Sequence, residues 1–316
     1  MARSAPAPAA GRAPAAPLPS LRQLRYLTVL AEKLNFRAAA EACFVTQSTL
    51  SAGIQELERT LGTQLVERDK RSVRLTAAGE EVTARARRLL SEAADLVEIA
   101  RAARAPLTGS FRLGAIPTIA PFVLPRVLPR IRARHPGLKL FLREDLTERL
   151  LEQLRAGELD AALIALPYDT AELEVRKLAR DDFHFVARKD HPLAALKSVP
   201  VERLDPAEVI LLEEGHCLRE HAIEACSRIK RPHEATRHGP RIEATSLPTL
   251  LQMVEGGLGV TLLPETALKA DLLQGTGLVA RPFSSRVPAR TLALAARPSS
   301  ARGRDLDLLA DFLKRS

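Results

Sequence analysis

The pattern that most restricts the fold of this chain is a pair of short helices joined by a very tight turn. Apolar residues recur at the spacing of one helical face at Leu50, Ile54, Leu57 and Leu61. Thr46 can cap this helix and Gly62 can end it. Asn35 can cap an alanine-rich helix over residues 36–43, which a neighbouring helix can approach closely. Two helices so closely joined predict a helix-turn-helix.

The outward face of the second helix carries uncharged donor and acceptor side chains. They are Thr46 at the cap, followed by Gln47, Ser48, Thr49, Ser51 and Gln55. On a helix lying in the major groove, such side chains can reach base edges or phosphates. They are equally suited to a solvated polar surface, and their spacing alone leaves both interpretations open.

Basic and apolar residues alternate after this helix and predict a short two-stranded hairpin. Apolar Val66 and Val73 lie among the basic residues Arg68, Arg71 and Arg74. A hairpin with such a rim would contact phosphates beside the groove.

From Val82 a long helix is predicted whose apolar or small residues are spaced by four and three, at Val82, Ala86, Leu89, Ala93, Leu96 and Ala100. This heptad pattern favours helix pairing between two subunits.

Charge and composition point to a duplex as the partner. Residues 1–105 carry 16 Lys or Arg against 11 Asp or Glu, in a chain whose net charge is +9. A basic first third favours a polyanion, although an ordinary solvated surface would look similar. Only 3% of the 316 residues are aromatic and none is Trp. Because single strands are held by aromatic stacking, double-stranded DNA is the better candidate.

Residues 21–105 resemble the winged helix-turn-helix and linker helix of LysR-type transcriptional regulators. The resemblance is carried by residues 35–40, 45–51, 54–58, 61–62, 65–68 and 75–79. Ser48 departs from the family, which usually has proline there, and this fixes the helix start slightly less firmly. We therefore divide the chain into a disordered Ala/Pro-rich tail (1–20), an all-α winged helix-turn-helix domain (21–80), a linker and dimerisation helix (81–105) and a regulatory domain (106–316).

Strands and helices alternate beyond the helix break at residues 106–109. Strands are expected at 111–116, 138–144, 161–166 and 290–296, and helices at 147–155 and near 305–313. Such alternation predicts an α/β domain with a mostly parallel sheet. The family resemblance implies two subdomains around a cleft, similar to periplasmic solute-binding proteins, with the first subdomain taking both ends of the region.

Three cysteines are too few for the disulfide framework of a small secreted protein, so a reducing cytoplasm is expected.

Cys217 and Cys226 are separated by good helix formers, and nine residues of helix span about 13.5 Å. A disulfide needs α-carbons about 4.4–6.8 Å apart. Oxidation would therefore unwind the helix. His216 or Arg219 could lower the pKa of the Cys217 thiol.

Two other interpretations of the cysteine pair stay open on the residues alone. Buried structural thiols are the commoner fate of cytosolic cysteines. Metal binding through Cys217 and His221, with His216 and Cys226 nearby, is a weaker possibility because no CxxC or HxxxH unit is present. Cys43, among alanines on the helix over residues 36–43, is expected to be a small core residue without a redox role.

Residues 213–220 with Cys226, together with 244–247 and 259–264, resemble the hydrogen-peroxide-sensing OxyR group of the LysR family. The resemblance implies that Cys217 is the peroxidatic cysteine, which peroxide oxidises, and that Cys226 is the resolving cysteine, which then forms a disulfide with it. It also implies a peroxide pocket in which Thr118 and Thr147 hold the peroxide, His216 orients the leaving oxygen and Arg290 steadies the thiolate. Each threonine could instead cap a helix. Residues 230–240 depart from the resemblance and are expected to loop out.

The sequence thus predicts a cytoplasmic, peroxide-responsive transcription factor that is not an enzyme. It would bind duplex DNA as a dimer of dimers, with hydrogen peroxide as its signal and RNA polymerase as a further partner, and without a cofactor, a metal or a membrane. One alternative is a LysR-type regulator that answers to a small metabolite in the interdomain cleft. The other is a thiol peroxidase that carries a helix-turn-helix.

Overall fold

The computed structural model describes residues 18–68, 73–102, 106–227, 243–284 and 289–315. These residues form two compact units, which divide the chain at Leu90 and Ser91. No helix in these ranges is long and apolar enough to cross a membrane. Most of the predicted N-terminal tail and the whole of residues 230–240 lie outside the described ranges.

The first unit contains the predicted helix-turn-helix. Its helices and the hairpin that follows them are α1 (Leu21–Lys33), α2 (Phe36–Ala42), α3 (Gln47–Leu61), β1 (Val66–Arg68) and β2 (Val73–Leu75). The side chains of Asn35 and Thr46 accept hydrogen bonds from the backbone at the starts of α2 and α3, as predicted. The apolar stripe of α3 is fully buried at Leu50, Ile54 and Leu57.

The long helix begins earlier than the sequence analysis placed it. It is α4 (Ala77–Ala102), which starts five residues before Val82 and crosses the expected boundary at residue 80. The reason is local: the hydroxyl of Thr76 accepts a hydrogen bond from the backbone N of Gly79 at 3.0 Å, which caps the first turn.

The second unit consists of two main sheets with helices packed on them. Its helices are α5 (Ala120–Arg134), α6 (Thr147–Arg155), α7 (Cys217–Ser227), α8 (Leu247–Glu255), α9 (Glu265–Lys269) and α10 (Gly303–Lys314). Its strands are β3 (Gly109–Ala115), β4 (Leu138–Glu144), β5 (Ala161–Leu166), β6 (Glu174–Asp181), β7 (Phe183–Arg188), β8 (Leu211–Leu212), β9 (Glu243–Ala244), β10 (Thr261–Pro264), β11 (Leu278–Pro282) and β12 (Arg290–Ala296).

The expectation of a mostly parallel sheet was wrong. In the first sheet, ordered β4-β3-β5-β12-β6, β3 is parallel to both neighbours, but β12 is antiparallel to β5 and β6. The second sheet, β10-β7-β11, is antiparallel throughout. The reason is that β12 arrives from the second sheet and is inserted between β5 and β6 against their direction, without the helical crossover that a parallel connection needs.

The two sheets belong to two subdomains with separate apolar cores. The first core includes Phe111 and Leu163, and the second includes Phe185 and Leu262. The chain passes from the first sheet to the second between β6 and β7, where only Asp182 intervenes, and it is back in the first sheet at Arg290. The first subdomain therefore takes both ends of the region, as the sequence resemblance implied.

Candidate functional site

Cys217 is the first residue of α7, and the turn before it depends on glycine. Gly215 has φ +94°, and a Cβ atom there would lie 2.9 Å from Cδ1 of Leu146. Cys226 belongs to the same helix, so about 13.5 Å separates the two α-carbons at the helical rise of 1.5 Å per residue. The predicted helix between the cysteines is confirmed. The side chain of Cys226 lies outside the described part of the chain.

The Cys217 thiol is buried where the two subdomain cores approach each other. Cys217 is 5% exposed and packs with the first core, whereas the next residue, Leu218, packs with the second. Burial raises the pKa of the Cys217 thiol above its usual range. The positive charge of Arg290 and the hydroxyl of Thr147 oppose this rise.

The expectation that His216 or Arg219 would lower the pKa of the thiol was wrong. Burial lowers the pKa of His216, and this favours the neutral imidazole despite Glu213 at 3.9 Å. Arg219 is directed elsewhere, because its Nη1 donates to the carbonyl O of Leu212 at 2.9 Å and to Oε1 of Glu243 at 2.8 Å. Arg219 therefore ties α7 to β8 and β9.

Arg290 lies in a fully buried network that includes Thr118. Its Nη1 donates to Thr118 Oγ1 at 2.9 Å, and its Nη2 donates to the Thr118 carbonyl O at 2.9 Å. Its Nε donates to Asp181 Oδ2 at 2.8 Å. Sequence reasoning missed Asp181, because a lone aspartate at a strand end carries no signal until the strands are paired.

The capping alternative for the two threonines was wrong. Ile119 is the N-cap of α5 and Leu146 is the N-cap of α6, and neither helix has a side-chain cap. Thr118 instead accepts from Arg290. The Thr147 hydroxyl is buried and forms no hydrogen bond of ordinary geometry with the described residues. An unsatisfied buried hydroxyl beside a thiol is available to a small polar ligand.

His221 lies one helical turn after Cys217 on α7. Its Nε2 donates to the carbonyl O of Pro167 at 2.8 Å, and its buried Nδ1 has no hydrogen-bond partner among the described residues. Burial lowers the pKa of His221, and this favours the neutral ring. In the described part of the chain, no group of three or more His, Cys, Asp or Glu side chains is placed to hold a metal ion.

The predicted DNA-contacting residues are placed mostly on one open face of α3. Gln47, Ser48, Thr49 and Gln55 are exposed, and Ser51 is half-buried. The Thr46 hydroxyl lies 2.8 Å from Thr49 Oγ1 and 2.9 Å from Ser48 Oγ, so it contributes to the cap.

Of the three arginines predicted to form the basic rim of the hairpin after α3, the structure describes the side chain of one. Arg74 is exposed on β2. Arg71 and the side chain of Arg68 lie beyond what the structure describes. The carboxylate of Glu58, which sequence reasoning missed, accepts hydrogen bonds from the backbone N of Leu65 at 2.9 Å and of Val66 at 3.1 Å. Glu58 therefore fixes the start of the hairpin on α3.

Two family descriptions match this chain. Residues 21–80 match the bacterial regulatory helix-turn-helix protein of the lysR family, and residues 104–316 match the LysR substrate binding domain. The chain is 46% identical to the HTH-type transcriptional regulator EstR of Acinetobacter baylyi over 300 residues, which cover 95% of this chain and 98% of EstR.

Similarity also extends to proteins named for hydrogen peroxide. A probable hydrogen peroxide-inducible genes activator of Streptomyces viridosporus is 41% identical over 298 residues, 94% of each chain. A solved structure of a full-length OxyR variant from Pseudomonas aeruginosa superimposes with a TM-score of 0.76 at 37% identity, covering 93% of this chain and 94% of that one.

The matched regions and the fold define a helix-turn-helix transcription regulator with a two-subdomain substrate-binding region. The chain belongs to the LysR family. Members of this family are DNA-binding regulators and not enzymes, so the thiol peroxidase alternative is set aside.

Proposed function

We propose that this LysR-family regulator senses hydrogen peroxide, and that a reversible Cys217–Cys226 disulfide switches it. The observation that carries the proposal is the buried Cys217 thiol, which is influenced both by the Thr147 hydroxyl and by Arg290, itself bonded to Thr118. Among the described residues, the Thr147 hydroxyl has no hydrogen-bond partner of ordinary geometry. The similarity to OxyR proteins over most of the chain supports it.

The chemistry requires two balanced steps. The Cys217 thiolate attacks one oxygen of hydrogen peroxide, the O–O bond breaks, and hydroxide leaves and takes a proton to become water. The product is a sulfenic acid on Cys217. The Cys226 thiol then attacks that sulfur, and a second water leaves as the disulfide forms. Thr118 and Thr147 would hold the peroxide, His216 would orient the leaving oxygen, and Arg290 would steady the thiolate.

The second step couples the chemistry to the conformation of α7. With the α-carbons of Cys217 and Cys226 about 13.5 Å apart along the helix, the disulfide cannot form until the helix unwinds. Because α7 is bonded to the first subdomain through His221 and to the second through Arg219, unwinding would loosen both attachments. The regulatory domain of the oxidised protein would therefore differ in conformation from that of the reduced protein.

The DNA-binding part of the proposal concerns the first unit and α4. In this proposal, the tail ends at residue 20, the DNA-binding domain ends at residue 80, and the dimerisation helix ends at residue 105. Two recognition helices would enter major grooves through the predicted residues of α3, with the hairpin on phosphates. Leu89 and Leu96 of α4 are 48% and 67% exposed, which suits pairing with a second copy. The assembly would be a cytoplasmic dimer of dimers that engages RNA polymerase.

Mass spectrometry of the thiols tests the redox proposal directly. The full chain is treated with a brief stoichiometric pulse of hydrogen peroxide, alkylated and digested, and the pairing is compared with that of untreated protein. We expect a Cys217–Cys226 disulfide after the pulse only, with Cys43 still alkylated. A Cys217→Ser variant should form no disulfide, whereas Cys43→Ser should behave as wild type. A disulfide that includes Cys43, or no disulfide at all, contradicts the proposal.

A second candidate function is a regulator that answers to a small metabolite held between the subdomains. The similarity to EstR favours it, because that relative is named a transcriptional regulator without reference to peroxide. Under this alternative, the Cys217→Ser protein would still change its DNA binding fully in response to its inducer. Under the peroxide proposal, the same variant would not respond.

A further inference from the structure

Asp181 lies where the chain leaves the first sheet for the second. It is the last residue of β6, and it is paired in register with Arg290, the first residue of the returning strand β12. Their side chains form an ion pair at 2.8 Å and are 1% and 0% exposed. The pair therefore joins the outgoing and returning strands at the crossing point.

The hydrogen bonds of Asp181 require a carboxylate. Oδ2 accepts from Nε of Arg290 at 2.8 Å, and Oδ1 accepts from the backbone N of Thr266 at 2.8 Å, in the first turn of α9. Both partners are donors, so both oxygens must accept. An amide has only one acceptor oxygen and would place its NH₂ group against one of these donors.

The same ion pair contains a positive charge that acts on the thiol. Arg290 is the main positive charge that opposes the raised pKa of Cys217. Another titratable group that interacts with this thiol is Tyr168, whose own pKa is raised, chiefly by burial, so that its neutral form is favoured. Asp181 is in direct contact with this guanidinium and neutralises much of its charge in a buried, weakly screening environment.

We propose that Asp181 is a positioning residue of the peroxide site, which holds Arg290 on Thr118 and limits the positive charge that acts on Cys217. This inference rests on the proposed function for its biological meaning. Without the carboxylate, the Cys217 thiolate becomes the anion available to balance Arg290. Ionisation of Cys217 then becomes easier, and its titration moves to lower pH.

The test uses the full chain with Cys217 as its only cysteine, in a Cys43→Ser, Cys226→Ser background. The rate of Cys217 alkylation by iodoacetamide is measured against pH. We expect Asp181→Asn to lower the midpoint by about one pH unit, a tenfold change in the ionisation constant. An unchanged midpoint overturns the inference, and a raised midpoint overturns its electrostatic half, because it would mean that Arg290 moves away from the thiol once Asp181 no longer holds it.

The matched control is Asp305→Asn. Asp305 is also a buried aspartate of the same unit, 3.5 Å from Arg302 and bonded to the backbone N of Leu107 at 2.7 Å. This variant loses a buried charge without touching Arg290, so the midpoint should stay at the parent value. A shift equal to that of Asp181→Asn would show a general effect of destabilisation and overturn the inference.

Asp181→Glu keeps the proposal testable if the Asn variant does not fold. It retains the charge, but its side chain is longer by one methylene group and so displaces Arg290. The peroxide reaction should therefore slow by about tenfold or more. An unaltered rate overturns the positioning role. If the parent itself does not react with peroxide, the proposed function fails, while the alkylation midpoints still decide the electrostatic role of Asp181.

Discussion

Nη1 of Arg290 lies 2.9 Å from the hydroxyl oxygen of Thr118, and this contact joins the start of β12 to the segment after β3. Both side chains are buried, so the bond is shielded from water. Thr147 differs, since its hydroxyl has no comparable partner in the described residues. Loss of the Thr118 hydroxyl should therefore lower the free energy of unfolding, whereas loss of the Thr147 hydroxyl should not.

Replacing Thr147 with valine should separate function from stability. Valine has nearly the same shape, and the buried hydroxyl that it removes has no hydrogen-bond partner of ordinary geometry in the described part of the chain, so the free energy of unfolding should be unchanged or slightly higher. The rate of Cys217 oxidation by peroxide should fall about tenfold or more because a ligand-holding group is lost. Stopped-flow oxidation kinetics and urea unfolding provide the two measurements.

Thr118→Val is the contrasting variant. It leaves an N–H of Arg290 without its acceptor, so the free energy of unfolding should fall by about 1–3 kcal/mol. Equal stability losses in the two variants would contradict the distinction.

Local patterns in the sequence were sufficient to locate many elements. The caps at Asn35 and Thr46 and the spacing of Leu50 and Ile54 predicted the helix-turn-helix because they depend on neighbours within one or two turns. The direction of β12 could not be predicted in the same way. Strand direction depends on where the chain re-enters the sheet, and nothing within residues 290–296 encodes that.

The candidate site shows the same limit more clearly. Charge near Cys217 in sequence suggested His216 and Arg219, but burial neutralises one and the other bonds to β8 and β9. The cation that influences the thiol is Arg290, which the residues alone did not indicate and only the family resemblance supplied. Electrostatics at a buried site depend on tertiary contacts, and a sequence does not display them.

Gly215→Ala should destabilise the turn into α7. Alanine at φ +94° is strained, and its Cβ would lie 2.9 Å from Leu146 Cδ1, so we expect a loss of about 1–3 kcal/mol in the free energy of unfolding. Gly275→Ala is the matched control, since Gly275 has φ +81° but no atom within 4 Å of the added Cβ. The Gly275→Ala variant should lose less free energy of unfolding. Chemical unfolding compares the two, and an equal loss would exclude the steric part of the argument.

The stability of the second unit should depend on pH through His221. Burial lowers the folded-state pKa of this residue, so the unfolded chain binds more protons as the pH falls below about 6.5. Its contribution is fully present above that pH and is lost below it, with a slope of at most about 1.4 kcal/mol per pH unit. Arg290, Glu220 and Glu224 are the charged groups that influence the ring.

His221→Gln should reduce this dependence, because glutamine can donate to the Pro167 carbonyl without gaining a proton. The slope that remains is expected from His216, whose pKa burial also lowers. Urea unfolding followed by circular dichroism between about pH 5 and 7.5 measures the slope. A slope equal to that of wild type would show that His221 does not carry the effect.

Leu96→Asp should prevent pairing through α4. Leu96 is 67% exposed in the single chain, and a charge at a coiled-coil seam would be buried without a partner. Sedimentation or light scattering should show a smaller assembly than wild type. Leu258→Asp changes a leucine of similar exposure, 54%, outside α4 and should leave the mass unchanged. If both variants keep the wild-type mass, Leu96 is not at the interface.

Arg74→Ala and Gln55→Ala should weaken DNA binding in different ways. Arg74 is exposed on β2, where it would contact phosphate, so its loss should weaken binding to all sequences and lower the salt slope by about one. Gln55 is exposed on α3, where it would contact a base edge, so its loss should cost about 1–3 kcal/mol and relax the preference at one position. Fluorescence anisotropy with specific and random duplexes at several salt concentrations separates the two. An unchanged salt slope for Arg74→Ala, or a uniform loss for Gln55→Ala, would remove the assigned contact.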